Sequence, residues 1–256
     1  MRVVIAKKLL SAVGGSEMFA RALDRELRAL GHDVALVGLR PAWARPGMDD
    51  PGLTLLATRL GRVGAAIDGL LPTALVKDGE LRRALEGADV VHSIAREWTG
   101  PLERAARDAG AAFVETPLVH PGQLLSGDSS RDVERYRRDD AVIALTEWEA
   151  AWYRERGVSR VYVTGVGPNL MSRPEVPRDP ATVLFVGRKE RYKGYHALRD
   201  AAPLVWREHP DARFVAIGQS AWNAVLDRAR DERWLDRGVV SEAEKAEAFA
   251  RATIFA

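Results

Sequence analysis

The sequence predicts an α/β protein with two domains, each built on a parallel sheet covered by helices. Short apolar, β-branched runs alternate with helical patterns along the whole chain, which is typical of parallel sheets. The segment from Gly165 to Pro180 carries four prolines and two glycines, and neither regular element tolerates that composition. Because the alternation starts again after it, we expect one domain over residues 1–166 and a second over residues 167–256.

The first domain begins with a strand and an amphipathic helix. Apolar residues at helical spacing predict a helix that starts at Ser16 and ends at Gly31. Its apolar stripe is formed by Phe19, Leu23, Leu27 and Leu30. The predicted strands are Arg2 to Ala6, Val34 to Gly38, Leu53 to Ala57, Asp89 to Ile94, Ala112 to Glu115, Ala141 to Leu145 and Arg160 to Val163. Further helices are expected over Leu102 to Ala109 and Glu147 to Arg156, and a loop over Arg40 to Pro51.

The second domain repeats this order of elements. Its predicted strands are Thr182 to Val186, Arg213 to Ile217 and a third near Val239. Helices are expected to start at Tyr195 and at Ala221. Ser241 and Glu244 have the spacing of a capping box, which predicts one more helix after Ser241.

Composition excludes several classes of function. The chain has 38 basic and 36 acidic residues, a net charge of +2, so nucleic acid is not expected as a partner. It has no cysteines, which excludes disulfides and thiolate chemistry and fits a cytoplasmic location. The five histidines have no compact metal-ligand spacing, so we expect no protein-held metal. No apolar run is long enough to span a bilayer.

The strongest functional motif is VLFVGRKERYKG, from Val183 to Gly194. Arg188 follows a predicted strand and Lys193 precedes a predicted helix, so both cations can lie at one edge of the sheet. Gly187 and Gly194 allow close approach of the backbone to a ligand. This combination suits a diphosphate, whose charge requires cations and backbone N–H groups. The alternative is a solvated basic turn.

A second glycine-containing turn follows the first strand. Gly14, Gly15 and Ser16 lie at the start of a predicted helix, where N–H groups favour anionic or hydroxyl-rich ligands. A tight strand-to-helix turn without a ligand is an equally good interpretation. The pair is not the three-glycine fingerprint of dinucleotide binding, so a nicotinamide cofactor has little support.

In chain order, these motifs resemble the retaining glycosyltransferases of GT-B fold in the sucrose-synthase-like group, glycosyltransferase family 4. The Val183 to Gly194 motif resembles the donor diphosphate loop of that family, and Gly14 to Glu17 resembles its Gly-Gly-x-Glu. The segment VETPLVHPGQ places His120 where the family keeps a histidine. The segment from Val142 to Asn169 resembles the linker into the second domain. The segment from Val239 onward resembles the approach to a second donor-binding motif.

The resemblance implies two Rossmann-like domains and assigns roles to residues. Arg188 and Lys193 would bind the donor diphosphate and act in catalysis with His120, which would contact the transferred sugar. The donor would also touch Gly187, Gly194, Gly218 and Val240. The acceptor would touch Gly14, Gly15, Ser16 and Trp98. Where the family often has Gly-x-Gly, this chain has Gly218, Gln219 and Ser220, so donor contacts there are left open.

For ligands, the resemblance implies a UDP- or GDP-sugar as co-substrate and no tightly bound cofactor. The acceptor would be a small molecule, a glycan or a lipid, and retention would follow from attack on the leaving-group side. Arg131, Arg135, Arg137 and Arg138 could contact an anionic membrane, as in some relatives that glycosylate lipids. Since Asp132, Glu134, Asp139 and Asp140 interleave with them, a solvated helix with internal ion pairs is favoured.

The resemblance further implies a truncated second domain, because two glutamates seven residues apart would be expected after Phe255. One hypothesis is therefore a fragment of a transferase; another is a non-catalytic binding module. A sugar-nucleotide epimerase shares the architecture, but its acid and base residues cannot be assembled here. An open sheet edge at Ala256 would favour a homo-oligomer or a completing chain.

Overall fold

The computed structural model describes residues 1–8, 10, 14–40, 52–59, 63, 76–96, 98–119, 121–122, 126–167, 174–219 and 231–256. The chain forms two compact units, Met1–Asn169 and Leu170–Ala256. Each unit is an α/β layer structure, and each is described by itself. The loop expected over Arg40 to Pro51 and the helix expected from Ala221 lie largely or wholly outside the described residues.

The first unit is built on a seven-stranded parallel sheet in the order β3-β2-β1-β4-β5-β6-β7. Its strands are β1 (Arg2–Ala6), β2 (Asp33–Leu39), β3 (Leu53–Leu56), β4 (Val90–Ile94), β5 (Ala112–Thr116), β6 (Ala141–Ala144) and β7 (Val161–Val163). The described helices are α1 (Gly15–Ala29), α2 (Asp78–Leu85), α3 (Thr99–Asp108), α4 (Ser130–Tyr136) and α5 (Glu147–Glu155). All seven predicted strands of this unit are confirmed to within two residues at their ends.

Strand β1 shows why these short apolar runs form buried strands. Val4 belongs to the hydrophobic core on one side of the sheet, and Ile5 to the core on the other. Successive side chains of a strand point to opposite faces, so a sheet covered on both faces needs a continuous apolar run. Burial of both faces therefore explains why the strand sequences are continuous apolar runs rather than an alternation of apolar and polar residues.

Helix α1 matches its predicted stripe except at the end. Phe19, Leu23 and Leu27 pack against the core that contains Ile5. Leu30 does not, because it is the C-cap residue and its side chain is 74% exposed. The helix ends there since Gly31 adopts a left-handed backbone with φ of 85°.

The second unit has a four-stranded parallel sheet in the order β10-β9-β8-β11. The strands are β8 (Thr182–Val186), β9 (Arg213–Ile217), β10 (Trp234–Gly238) and β11 (Ile254–Phe255). The helices are a 3₁₀ turn (Arg191–Lys193), α6 (Tyr195–Glu208) and α7 (Glu242–Arg251). The capping box predicted for Ser241 and Glu244 is present at the start of α7.

The third strand of this unit is confirmed, but it lies just before the residue around which it was predicted. We expected it near Val239, but β10 ends at Gly238 and Val239 is 72% exposed. Trp234 supplies the buried anchor of the strand and stacks on Phe214, with 5.4 Å between ring centroids. In a parallel sheet the carboxyl ends of all strands share one edge, so the segments after β8, β9 and β10 meet there.

Within the described ranges, no helix is long and apolar enough to cross a membrane.

Candidate functional site

The predicted diphosphate motif forms the loop between β8 and α6. Gly187 directly follows β8, and Gly194 is both the end of the 3₁₀ turn and the N-cap of α6. Gly194 has a φ of 78°, a left-handed conformation that favours glycine. The loop therefore connects the carboxyl end of β8 to the N-terminus of α6, as the sequence predicted.

The two predicted cations converge on one aromatic ring. The Arg188 guanidinium carbon lies 5.5 Å from the centroid of Tyr192, and the Lys193 Nζ atom lies 5.1 Å from the same centroid. Arg188 also donates a hydrogen bond to the Tyr192 hydroxyl. Both cationic side chains are exposed, so they are accessible to an anion. Tyr192 was not singled out by the sequence analysis, although an aromatic residue between two cations is a visible signal.

The electrostatics of this loop favour an anion. Helix α6 has no side-chain cap from Gly194 and no acidic residue in its first turn, so no carboxylate of that turn offsets the positive end of the helix dipole. The nearby carboxylate is that of Glu190, whose Oε1 lies 3.4 Å from Arg188 Nη1. Because Arg188 is 59% exposed in this pair, the ion pair is weak and a stronger anion can replace it.

Lys189 has a different role from its basic neighbours. The sequence placed it in a run of four cations, yet its side chain is 1% exposed and forms an ion pair with Asp236 of β10. Its backbone N–H donates to the Gln219 carbonyl at 3.0 Å. Lys189 therefore anchors the loop to β10 and to the segment after β9, and the exposed side chains of Arg188 and Lys193 project from this anchored loop.

Gly218 is required by packing at the same edge of the sheet. A Cβ atom at this position would lie 2.0 Å from the Gly187 carbonyl oxygen, and its φ of 133° is unfavourable for other residues. The Gly218 N–H donates to the Gly238 carbonyl at 2.7 Å. These contacts place the segments after β8, β9 and β10 side by side, with half-buried Val240 two residues past Gly238. A donor contact by Gly218 or Val240 remains a prediction.

The turn before α1 differs in charge from the loop before α6. Gly14 is the N-cap of α1, and a Cβ atom there would lie 2.4 Å from the Glu17 Oε2 atom. The other oxygen of Glu17 lies 3.2 Å from Nζ of Lys7, whose side chain is 2% exposed. An internal ion pair thus occupies this helix N-terminus. By contrast, a Cβ atom on Gly15 would meet nothing within 4 Å, so open space adjoins it.

Trp98 lies in the wall of a cavity between α3 and α4. The cavity has a volume of about 580 Å³. Trp98 is 1% exposed, and its indole Nε1 has no hydrogen-bond partner among the described residues. The predicted acceptor contact of Trp98 is untested and stays a prediction. His120, the predicted sugar contact, lies outside the described residues.

A buried charge network supports this cavity. Glu115 is fully buried, accepts from Thr99 Oγ1 at 2.9 Å and lies 3.5 Å from Arg135 Nε. Burial raises its pKa. Asp139 is 2% exposed, and burial and the adjacent Glu115 charge raise its pKa to about 9, which favours its protonated form. The expected solvated helix is therefore wrong at Asp139, although Arg135 and Asp132 do pair at 3.0 Å.

Among the described residues, no group of three or more histidine, aspartate or glutamate side chains could hold a metal ion.

With this geometry established, the chain can be compared with known families. The model of the glycosyl transferase 4-like domain matches residues 14–169. The chain belongs to the glycosyl transferase 4-like family. A second model, glycosyl transferases group 1, matches residues 168–254, which include the β8–α6 loop. A search of the curated proteins gives no match.

Solved structures resemble the whole chain in fold. Sucrose-phosphate synthase from Thermosynechococcus elongatus is 18% identical, with a TM-score of 0.73 over 99% of this chain and 74% of that one. HepE of Anabaena, solved with UDP-glucose, is 13% identical, with a TM-score of 0.70 over 100% of this chain and 73% of that one. TarM of S. aureus, solved as a variant with fondaparinux, α-GlcNAc-glycerol and UDP, is 11% identical, with a TM-score of 0.67 over 95% of this chain and 78% of that one.

These likenesses confirm the predicted fold class, an α/β structure of GT-B type with parallel sheets. Within that fold, the chain is a member of a glycosyltransferase family.

Proposed function

We propose that the chain transfers a sugar from a nucleotide-sugar donor to an acceptor hydroxyl, with retention of anomeric configuration. One observation carries the proposal: two exposed cations, Arg188 and Lys193, stand beside a helix N-terminus that has no acidic residue in its first turn. The donor side is residues 167–256 and the acceptor side is residues 1–166. Family membership over residues 14–169 supports the assignment of transfer chemistry.

At the donor side, the leaving group is a nucleoside diphosphate. As the bond to the sugar breaks, negative charge grows on the β-phosphate, and preorganised cations stabilise that charge. Arg188 and Lys193 supply the stabilising positive charge here, while Gly187 and Gly194 allow the backbone to lie close to the diphosphate. The structures of HepE with UDP-glucose and TarM with UDP make UDP the first nucleotide to test, with GDP as the alternative.

At the acceptor side, we propose contacts from Gly14, Gly15, Ser16 and Trp98. Because Glu17 and Lys7 already form an ion pair at the α1 turn, that turn suits neutral hydroxyl groups better than a second anion. We propose that retention follows from attack on the side of the leaving group, with the departing phosphate taking the acceptor proton. His120 remains the proposed contact to the transferred sugar, and Gly218 and Val240 remain proposed donor contacts.

The experiment is UDP release from UDP-glucose by the purified 256-residue chain. We expect release in the wild type and its loss in the double variant Arg188→Ala, Lys193→Ala. Arg207→Ala is the matched control, because Arg207 is an exposed arginine at the other end of α6. Proton spectra of the released or transferred glucose report its anomeric configuration, and an α product supports retention.

The other outcomes separate the alternatives. UDP binding without release would favour a non-catalytic binding module, and formation of an epimeric UDP-sugar would favour an epimerase. Release that is unchanged in the double variant would overturn the proposal. A cytoplasmic location, peripheral membrane contact and a homo-oligomer remain predictions, and light scattering tests the last of these.

A further inference from the structure

We infer that the cavity between α3 and α4 binds the phosphate or carboxylate group of a small molecule. We call it the α3–α4 cavity; its volume of about 580 Å³ is in the range of ligand sites. It is lined by the N-terminal end of α3, the segment before α4 and one face of α4. The lining residues used below are Trp98, Arg104, Asp128, Arg131, Asp132 and Arg135.

Two residues that line this cavity carry a buried hydrogen-bond donor without a partner. Trp98 Nε1 and Arg135 Nη2 are buried and have no partner among the described residues. Trp98 itself is 1% exposed. An indole N–H can only donate, and so can a guanidinium N–H. Since a buried donor without an acceptor is unfavourable, a ligand that supplies acceptor oxygens is favoured here.

The charges of the lining favour a negative ligand. Each of the carboxylates is already engaged: Asp132 lies 3.0 Å from Arg135, and Asp128 accepts from the Gly122 N–H at 2.8 Å. Glu103 lies 3.2 Å from Arg107. Two exposed arginines of the lining, Arg104 and Arg131, have no carboxylate partner within the described part of the chain. The lining carries five arginines and three carboxylates, so its formal net charge is positive.

The start of α3 adds to this preference. Helix α3 has ten residues, no side-chain cap and no acidic residue in its first turn. Its first residues, Trp98 to Pro101, line the cavity. The N–H groups and the dipole at a helix start favour negative charge. Donors, cations and helix start all require an acceptor that carries negative charge, which phosphate and carboxylate oxygens provide.

This inference goes beyond the proposed sugar transfer and does not depend on it, because it concerns equilibrium binding without a donor. If the chain both transfers sugar and binds an anion in the α3–α4 cavity, that anion is a group of the acceptor or of an effector. The test is a titration of the whole chain with inorganic phosphate, followed by ¹H–¹⁵N spectra of the seven tryptophan indole groups. Trp98→Phe identifies the Trp98 signal.

We expect the Trp98 indole signal to shift with saturation as phosphate is added. Arg131→Gln should raise the Kd for phosphate about tenfold, the scale for one charge-assisted hydrogen bond. Arg25→Gln, an exposed arginine on α1 that does not line the cavity, should leave the Kd within about twofold. Acetate should give a weaker shift of the same signal, since it carries a single charge.

Calorimetry with inorganic phosphate on the wild type, Arg104→Gln and Arg131→Gln measures the affinity without the need for Trp98→Phe. Both arginines are exposed, so these substitutions should leave the fold intact. A Trp98 signal that stays fixed at saturating phosphate would overturn the inference, as would equal affinity in all three proteins. Vesicles of phosphatidylglycerol and of phosphatidylcholine complete the set. A shift caused by the anionic vesicles but not by phosphate would replace the small-molecule site with a lipid surface.

Discussion

The turn before α1 and the loop before α6 are both glycine-containing connections from a strand to a helix start, yet their charges differ. At α1, Glu17 lies against Gly14 and pairs with the buried Lys7 at 3.2 Å. At α6, the first turn has no acidic residue, and the exposed side chains of Arg188 and Lys193 lie on the ring of Tyr192. The first helix start is neutralised from within, whereas the second has excess positive charge.

This difference shows that a glycine-containing helix start does not by itself define a ligand. What decides is whether the protein already supplies the charge that the helix start favours. At α1 the carboxylate of Glu17 does so, which leaves hydroxyl groups as the suitable ligand. At α6 the first turn has no acidic residue, which leaves the positive end of the helix for an anion from outside.

The largest expected effect breaks the internal pair at α1. Glu17→Gln should lower the free energy of unfolding by about 3 kcal/mol, because it removes one charge of the buried Lys7–Glu17 ion pair. Urea unfolding measures this, with Glu26→Gln as the control on the exposed side of the same helix. A loss below about 1 kcal/mol would show that the pair does not neutralise the α1 start.

The next effect removes the cations at α6. Lys193→Ala or Arg188→Ala should lower turnover of the sugar nucleotide about a hundredfold, since each removes a preorganised charge at the leaving diphosphate. The melting temperature should stay unchanged because both side chains are exposed. Steady-state kinetics beside Arg207→Ala measure the effect, and an unchanged rate in either variant would remove the donor assignment.

A smaller effect tests whether the α1 turn contacts an acceptor. Gly15→Ala adds a Cβ that meets no protein atom within 4 Å, so stability should hold or rise by up to about 1 kcal/mol. Turnover should fall about tenfold if an acceptor packs there. Gly79→Ala on α2 is the matched control, since its added Cβ also meets nothing within 4 Å. Equal turnover in both variants would make the α1 turn purely structural.

The smallest effect sharpens the α6 site. Glu190 pairs with Arg188 at 3.4 Å and competes with any incoming anion. Glu190→Gln should therefore raise the affinity for UDP about threefold, the scale of one exposed ion pair. Calorimetry measures it, with Glu208→Gln at the far end of α6 as the control. A lower affinity in Glu190→Gln would mean that Glu190 helps to bind the ligand.

Much of this fold could be predicted from local sequence, because most strands are buried on both faces and read as apolar runs. Strands β1, β8 and β9 have their predicted ends for this reason. Strand β10 lies at the edge of its sheet, where Leu235 is 44% exposed, so its sequence WLDRG shows no such run. The apolar side chains of Val239 and Val240 led us to predict the strand one residue beyond the end of β10.

The site could be predicted only in part, because pairing across the fold is not visible in a local motif. Arg188 and Lys193 were found from their spacing between a strand and a helix. Lys189 looked like one more solvated cation, although its partner Asp236 is 47 residues away. In the same way, no local motif indicates that Glu17 pairs with Lys7 across the α1 turn, so the charges of the two helix starts could not be distinguished from the sequence.

The most direct test of the central claim is calorimetric binding of UDP to the wild type, Arg188→Ala, Lys193→Ala and Arg207→Ala at low and high salt. We expect UDP to bind to the wild type and to Arg207→Ala with an affinity that weakens with salt, and to bind about tenfold more weakly to Arg188→Ala and to Lys193→Ala. Equal affinity in all four proteins would contradict it, because the diphosphate would then bind elsewhere than at the start of α6.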